Sequence, residues 1–223
     1  MILRLRGVEH AYRRTVALRG VSLAVEPEEV VAVTGPSGCG KSTLLHVAAG
    51  ILRPQAGAVT LLDQDLVTLD DAERARLRRR NVGVVLQFGQ LVPDLSALEN
   101  VALPLLLERH DRGAALTAAR EWLERAGVGD ERDTLAAELS GGQAQRVAVA
   151  RALVTGPSIV FADEPTGSLD STGGEALLAL LLAAARERGA ALVIVTHDNV
   201  VAAHADREVR LRDGHVEAEA VLR

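Results

Sequence analysis

Gly35-Pro36-Ser37-Gly38-Cys39-Gly40-Lys41-Ser42-Thr43 decides how this chain is read. The apolar run Val30-Val31-Ala32-Val33-Thr34 leads into it, and Leu44-Leu45-His46-Val47-Ala48-Ala49 leaves it at helical spacing. Strand, glycine loop and helix in that order turn the pattern G-x-x-x-x-G-K-S into a phosphate cradle. Gly35, Gly38 and Gly40 let the backbone come close and turn its N–H groups inward. The helix that starts near Lys41 points its positive end at the same spot. Lys41 supplies a point charge for the outer phosphates, and the Ser42 hydroxyl is placed to ligate Mg²⁺. The bland alternative is a glycine-rich turn that happens to precede a helix. One detail weighs against it: Lys41 is the only lysine, and every other permanently cationic side chain is arginine. A compact ammonium stands where phosphate binding calls for it, and arginine's wide fork is a poor substitute there.

Length and composition bound the rest. The 223 residues suit one domain or two intimate subdomains, and 48% hydrophobic residues are ample for a core. A net charge of −5 leaves no broad basic field, and 2% aromatics leave few platforms for base stacking, so nucleic acid is not an expected partner. Cys39 is the only cysteine, which excludes an intramolecular disulfide and fits a reducing compartment. Met1-Ile2-Leu3-Arg4-Leu5-Arg6 carries charges among its apolar residues and does not read as a signal peptide. The longest apolar run, Ala176 to Ala185, is about half of what a bilayer span needs. A soluble, cytoplasmic protein is expected.

Along the chain, Ile2 to Leu5 and Val16 to Val25 read as strands, with a turn at Pro27-Glu28. Gly57 to Leu62 reads as a further strand, Asp71 to Arg80 as a polar helix, and Asn81 to Leu86 as a buried strand closed by Gln87. Arg78-Arg79-Arg80 is expected to be a solvated helix end. From Phe88 to about Gly156 the texture is helical. Ser96 and Glu99 make a capping box there, Pro104 bends the helix that follows, and Trp122 is a packing anchor. Ser158 to Ala162 returns to a buried strand, Thr172 to Arg188 is a long helix, and Ala191 to Thr196 is a strand ending in His197. Arg207 to Glu217 is a hairpin over Asp213-Gly214. Strands alternating with helices predict an α/β fold with a mostly parallel sheet, interrupted by a helical insert.

Two further stretches carry chemistry. Asp163 and Glu164 end an apolar strand, where ligands of open α/β sheets gather. Adjacent acids repel each other unless a cation or proton is present. The economical assignment gives Asp163 to Mg²⁺ and Glu164 to the attacking water as general base; the alternative is an acidic strand-end cap. Leu139-Ser140-Gly141-Gly142-Gln143 is a second glycine loop opening a helix, hence a second anion site. A single γ-phosphate does not need two loops some hundred residues apart in one monomer. A head-to-tail pair does, with each nucleotide between one copy's lysine loop and the other's Ser140 loop.

These residues together resemble the nucleotide-binding domain of an ATP-binding cassette (ABC) transporter, from Tyr12 to about Gly214. Within that family the chain is similar to the short ATPases of macrolide-exporter, lipoprotein-releasing or cell-division-type permeases. The closer likeness lies in Leu91-Val92-Pro93 through Ala97-Leu98-Glu99-Asn100-Val101-Ala102-Leu103-Pro104, and in Ala162-Asp163-Glu164-Pro165-Thr166-Gly167-Ser168-Leu169-Asp170. The resemblance implies a P-loop NTPase core at 1–87 and 156–223, with an N-terminal antiparallel β region and a helical subdomain at 88–155. It also implies ATP and Mg²⁺ as cofactors, a homodimer formed on ATP, a transmembrane permease in a separate chain, and a peripheral place on the inner face of the membrane.

Position by position, the resemblance implies that Tyr12, otherwise a half-buried strand aromatic, stacks on adenine. Gly35 to Thr43 wrap the phosphates. Gln87 reaches the Mg²⁺ and the water and links the site to the permease. Ser140, Gly141, Gly142 and Gln143 face the nucleotide across the dimer, and Asp170 meets the opposite P-loop. His197 holds the γ-phosphate and helps orient Glu164. Without the resemblance, His197-Asp198 with His204 reads as a possible metal site, supported by no other ligand cluster.

Glu28 and Gln64 depart from the family's pattern, which has glycine at both turns. A soluble ABC ATPase acting on DNA or ribosomes is a rival, disfavoured by the short segment between Gly40 and Ser140. A non-transporting cell-division scaffold is another. The chain's end soon after Asp213-Gly214 leads us to expect no C-terminal regulatory domain, hence an exporter-type or extraction-type system.

Overall fold

The computed structural model describes residues 1–13, 15–87 and 90–222, and resolves into two compact units, residues 1–78 with 189–223 and residues 79–188. Phe88, the expected start of the helical segment, lies outside the described residues, as do Arg14, Gly89 and Arg223.

The first unit contains two sheets. One is antiparallel, in the order β2 (Thr15–Val25), β1 (Leu3–Tyr12), β4 (Ala56–Leu61), β5 (Gln64–Asp65). Leu3, Leu5 and Val8 of β1 are buried while Arg4 is only half-buried and Arg6 is exposed, the alternation of a sheet with one face on a core. In the other, β3 (Val30–Thr34) lies between parallel neighbours, β8 (Ala191–Val195) and β9 (Arg207–Arg212), and β10 (His215–Val221) pairs antiparallel with β9. Every residue of β3 and β8 is buried, as expected of parallel strands covered on both faces. Helix α1 (Lys41–Ala48) follows β3, and the short α7 (Asn199–Ala202) follows β8.

Turn chemistry follows the sequence with one shift. Glu28 occupies the turn glycine's position with φ 65, so the departure is a carboxylate-bearing residue held in left-handed backbone. At the β4–β5 turn the left-handed residues are Leu62 and Asp63, with φ 50 and 59, and not Gln64.

Helix α2 (Asp71–Asn81) starts in the first unit and ends in the second. The expectation that Arg78-Arg79-Arg80 is a solvated end holds in part: Arg80 is exposed, but Arg78 and Arg79 are half-buried and all three are engaged. Arg78 Nη1 donates to the Gly50 carbonyl at 2.6 Å, and Nε of Arg79 and Arg80 donate to Glu108 at 2.8 and 2.5 Å. The hydrogen bond from Arg80, then that from Arg79, holds the Glu108 carboxyl below the usual carboxylate range.

The second unit places a parallel pair, β6 (Val82–Val85) beside β7 (Ile159–Asp163), among α3 (Ala97–Leu107), α4 (Arg112–Arg125), α5 (Gly141–Leu153) and α6 (Ser171–Arg188). Ser96 and Glu99 form the expected capping box, at 3.2 and 3.0 Å, and α3 continues through Pro104 to Leu107. Trp122 is buried, with the Arg125 guanidinium 4.3 Å from its ring centre. No helix among the described residues is long and apolar enough to cross a membrane.

Candidate functional site

In the first unit the lysine loop is shaped by close backbone packing. Gly35, Gly38 and Gly40 have φ of 144, 78 and 108. A Cβ on Gly35 would stand 2.1 Å from the Leu211 carbonyl oxygen, and one on Gly40 would stand 2.3 Å from that of Ala17. Neither contact can yield, because both obstacles are backbone. Gly40 is the N-cap of α1 and no side chain caps the helix, so the first-turn N–H groups keep the anion-binding character of an open helix start. Lys41 is 8% exposed, and its Nζ donates to the carbonyls of Gly35 at 2.8 Å and Pro36 at 3.0 Å. Two of three ammonium donors therefore brace the loop and fix where the charge sits. Ser37 and Ser42 are exposed and Thr43 is buried; Cys39 is buried too, so its thiol is withdrawn from the surface of the loop.

Thr34, the last residue of β3, donates its hydroxyl to Glu208 at 2.5 Å. Thr196 N–H donates to the Val33 carbonyl at 3.1 Å, so His197 leaves β8 on the same carboxyl edge as the loop. His197 is exposed. Tyr12, at the end of β1, is 47% exposed, more open than a half-buried strand aromatic, and its ring meets His10 edge-on at 4.8 Å.

The second unit carries the remaining residues. In the β6–β7 register Val85 lies opposite Ala162, so Gln87 and the pair Asp163-Glu164 leave neighbouring strands at one carboxyl edge. Asp163 is buried, while Gln87 is exposed. Glu164 has φ 45 although it precedes Pro165, a position that favours extended backbone. Such outliers gather where a side chain must be aimed, and the sequence gives no sign of this one. Ser140 is the N-cap of α5. Its Oγ accepts from Gln143 N–H at 3.3 Å, Gln143 Oε1 accepts from Ser140 N–H at 2.9 Å, and Gln143 Nε2 donates to Glu131 at 2.7 Å. Ser140 and Gly141 are exposed. Asp170 caps α6 through Gly173 N–H at 2.7 Å.

Three supporting residues escape the sequence reading. Asn100, fully buried, accepts from Val92 N–H and donates to the carbonyls of Val92, Leu95 and Ser96, pinning the segment after Gln87. Its signal is a lone amide in an apolar helical stretch. Arg151 Nη1 donates to the Gln90 carbonyl at 3.1 Å, and burial pulls its guanidinium below its ordinary range. Arg146 donates to the carbonyls of Ala126 and Gly173, tying α5 to the segment that carries Asp170. Neither arginine has a local signal.

Comparison with known proteins gives the family. The family model described as "ABC transporter" matches residues 18–167. The chain is 46% identical over 224 residues to the "Lipoprotein-releasing system ATP-binding protein LolD 2" of Caulobacter vibrioides, covering 99% of this chain and 98% of the relative. It is 46% identical over 219 residues to LolD of Myxococcus xanthus, covering 96% and 98%. Among solved structures, the cassette MJ0796, described as dimeric in a post-hydrolysis state with ADP and Pi, superposes with a TM-score of 0.96 at 39% identity over 100% and 99% of the two chains. The cbiO1 protein of Clostridium perfringens, part of the ABC transporter complex cbiONQ, gives 0.85 at 28% identity over 99% and 88%. The family match over residues 18–167, with relatives and a solved cassette alike over nearly the whole chain, places it in the ABC transporter family as an ATP-hydrolysing cassette.

Proposed function

We propose that this chain is the ATPase subunit of a lipoprotein-releasing type of transporter, working as a homodimer on a transmembrane permease in a separate polypeptide. Similarity to the LolD proteins over nearly the whole length supports the extraction class. The chain would act as one nucleotide-binding domain, core 1–87 and 156–223 with a helical subdomain at 88–155, and sit peripherally on the cytoplasmic face of the membrane through the permease.

In this reading Tyr12 stacks on adenine, and the N–H groups of Gly35 to Thr43 and the Lys41 ammonium hold the phosphates. Ser42, Gln87 and Asp163 are oxygen donors suited to a hard cation and hold Mg²⁺, which neutralises phosphate charge. Glu164 takes a proton from the attacking water, and His197 orients Glu164 and holds the γ-phosphate. Ser140, Gly141 and Gly142 contact the nucleotide on the opposite copy, with Gln143 keeping that loop in shape and Asp170 meeting the opposite P-loop. Closure then needs the γ-phosphate, and its hydrolysis releases the pair. Gln87 and the segment pinned by Asn100 pass the motion to the permease.

The observation that carries the reading is the exposed, capped Ser140 loop, a second anion site with no purpose inside one copy. Glu164→Gln is expected to bind Mg-ATP without turning it over and to elute as a dimer on sizing, while Lys41→Ala stays monomeric and inactive. A Glu164→Gln protein that remains a monomer with saturating ATP rules out the shared site.

A further inference from the structure

The turn between β9 and β10 is tied to the phosphate loop. Asp213 and Gly214 have φ of 48 and 80, the two left-handed residues of a type I′ hairpin. Gly214 N–H donates to the Cys39 carbonyl at 3.1 Å, and the Gly214 carbonyl accepts from Arg19 N–H at 2.8 Å. A Cβ on Gly214 would stand 2.9 Å from the Ala17 carbonyl oxygen, the same atom that excludes a side chain from Gly40. At the loop's other end, the Leu211 carbonyl of β9 excludes one from Gly35. The hairpin therefore touches the loop at both ends, about 175 residues on in the chain.

The geometry of one peptide gives this contact a consequence. In a planar trans peptide the carbonyl of residue i and the N–H of residue i+1 point in opposite directions. The bond from Gly214 holds the Cys39 carbonyl toward the hairpin, so the Gly40 N–H is turned away from it.

We propose that the Asp213-Gly214 turn is a positioning element for ATP, aiming the Cys39-Gly40 peptide so that its N–H faces the phosphates. Gly214 acts through Cys39 and is not itself a contact. The proposal rests on Gly35 to Thr43 being the ATP cradle. A backbone hydrogen bond contributes enough to change affinity about five-fold when lost. Linkage requires the reverse as well: bound ATP must protect the turn.

The test uses the full chain. By NMR-detected amide exchange, Mg-ATP is expected to slow exchange at Gly214 together with Lys41 to Thr43. Gly214→Ala is expected to raise the KM for ATP about five-fold, with kcat at saturating ATP within about two-fold of wild type. Gly189→Ala is the control, since Gly189 also has positive φ but its nearest neighbour is the Glu28 side chain; it should lose stability and leave KM alone. Unchanged exchange at Gly214 on adding Mg-ATP overturns the proposal, as does an equal rise in KM for both variants. Should Gly214→Ala fail to fold, the exchange measurement on wild type decides alone. A wild-type protein that does not bind ATP removes the cradle reading first, and the proposal with it.

Discussion

Around Gly35 to Gly40 neighbouring backbone closes on the loop and the Lys41 ammonium braces it, whereas around Ser140 to Gln143 the loop is shaped by side chains. In the first loop, carbonyls of Leu211 and Ala17 occupy the space of a Cβ, and the glycines have φ that L residues avoid. In the second, Gly141 and Gly142 have ordinary helical backbone; the nearest atom to a Cβ on Gly141 is Ser168 Cβ at 3.9 Å, and on Gly142 a movable Leu169 methyl at 2.9 Å. Fold geometry forces glycine in one place. In the other the fold tolerates a side chain, and only the proposed contact with a second copy gives glycine a reason there.

Three measurements break or sharpen that contrast. The largest effect belongs to Gly35→Ala, which is expected to lose about 3 kcal/mol or more of stability in denaturant unfolding. Gly141→Ala should stay within about 0.5 kcal/mol of wild type yet lower ATP turnover; equal stability losses at the two positions would erase the distinction. Next comes Ser140→Ala, which removes a helix cap and should cost about 1 kcal/mol, while its turnover falls by more than that loss of stability accounts for. The smallest effect is at Glu108, held by Arg79 and Arg80. Its folded-state pKa lies below the ordinary value of 4.5, so its contribution is present above that value and lost as pH falls through the folded pKa. The gap in unfolding midpoint between wild type and Glu108→Gln should be full at pH 7 and close in acid. A gap that is constant with pH would remove the charge from the explanation.

What could be read from sequence was what is local. The strand, loop and helix around Lys41, the Ser96–Glu99 capping box and the Asp213-Gly214 turn are each set within a few residues, and each is found as expected. Distant partners were not legible. Arg78 to Arg80 read as a solvated end because Gly50 and Glu108, which receive them, lie 28 or 29 residues away. The left-handed backbone of Glu164 was hidden because it runs against the preference that Pro165 imposes. The sequence of the Ser140 loop reads as a helix-opening glycine turn, but its Gln143 amide bridges Ser140 and Glu131, a contact that depends on how residues 131 and 143 are brought together.

The lone lysine has one more consequence. Lys41 is the only side-chain amine and Cys39 the only thiol, two positions apart and both shielded. Any covalent mark that does reach an internal amine or thiol lands within residues 39–41, so the intact mass of the protein becomes a direct gauge of whether that loop has opened.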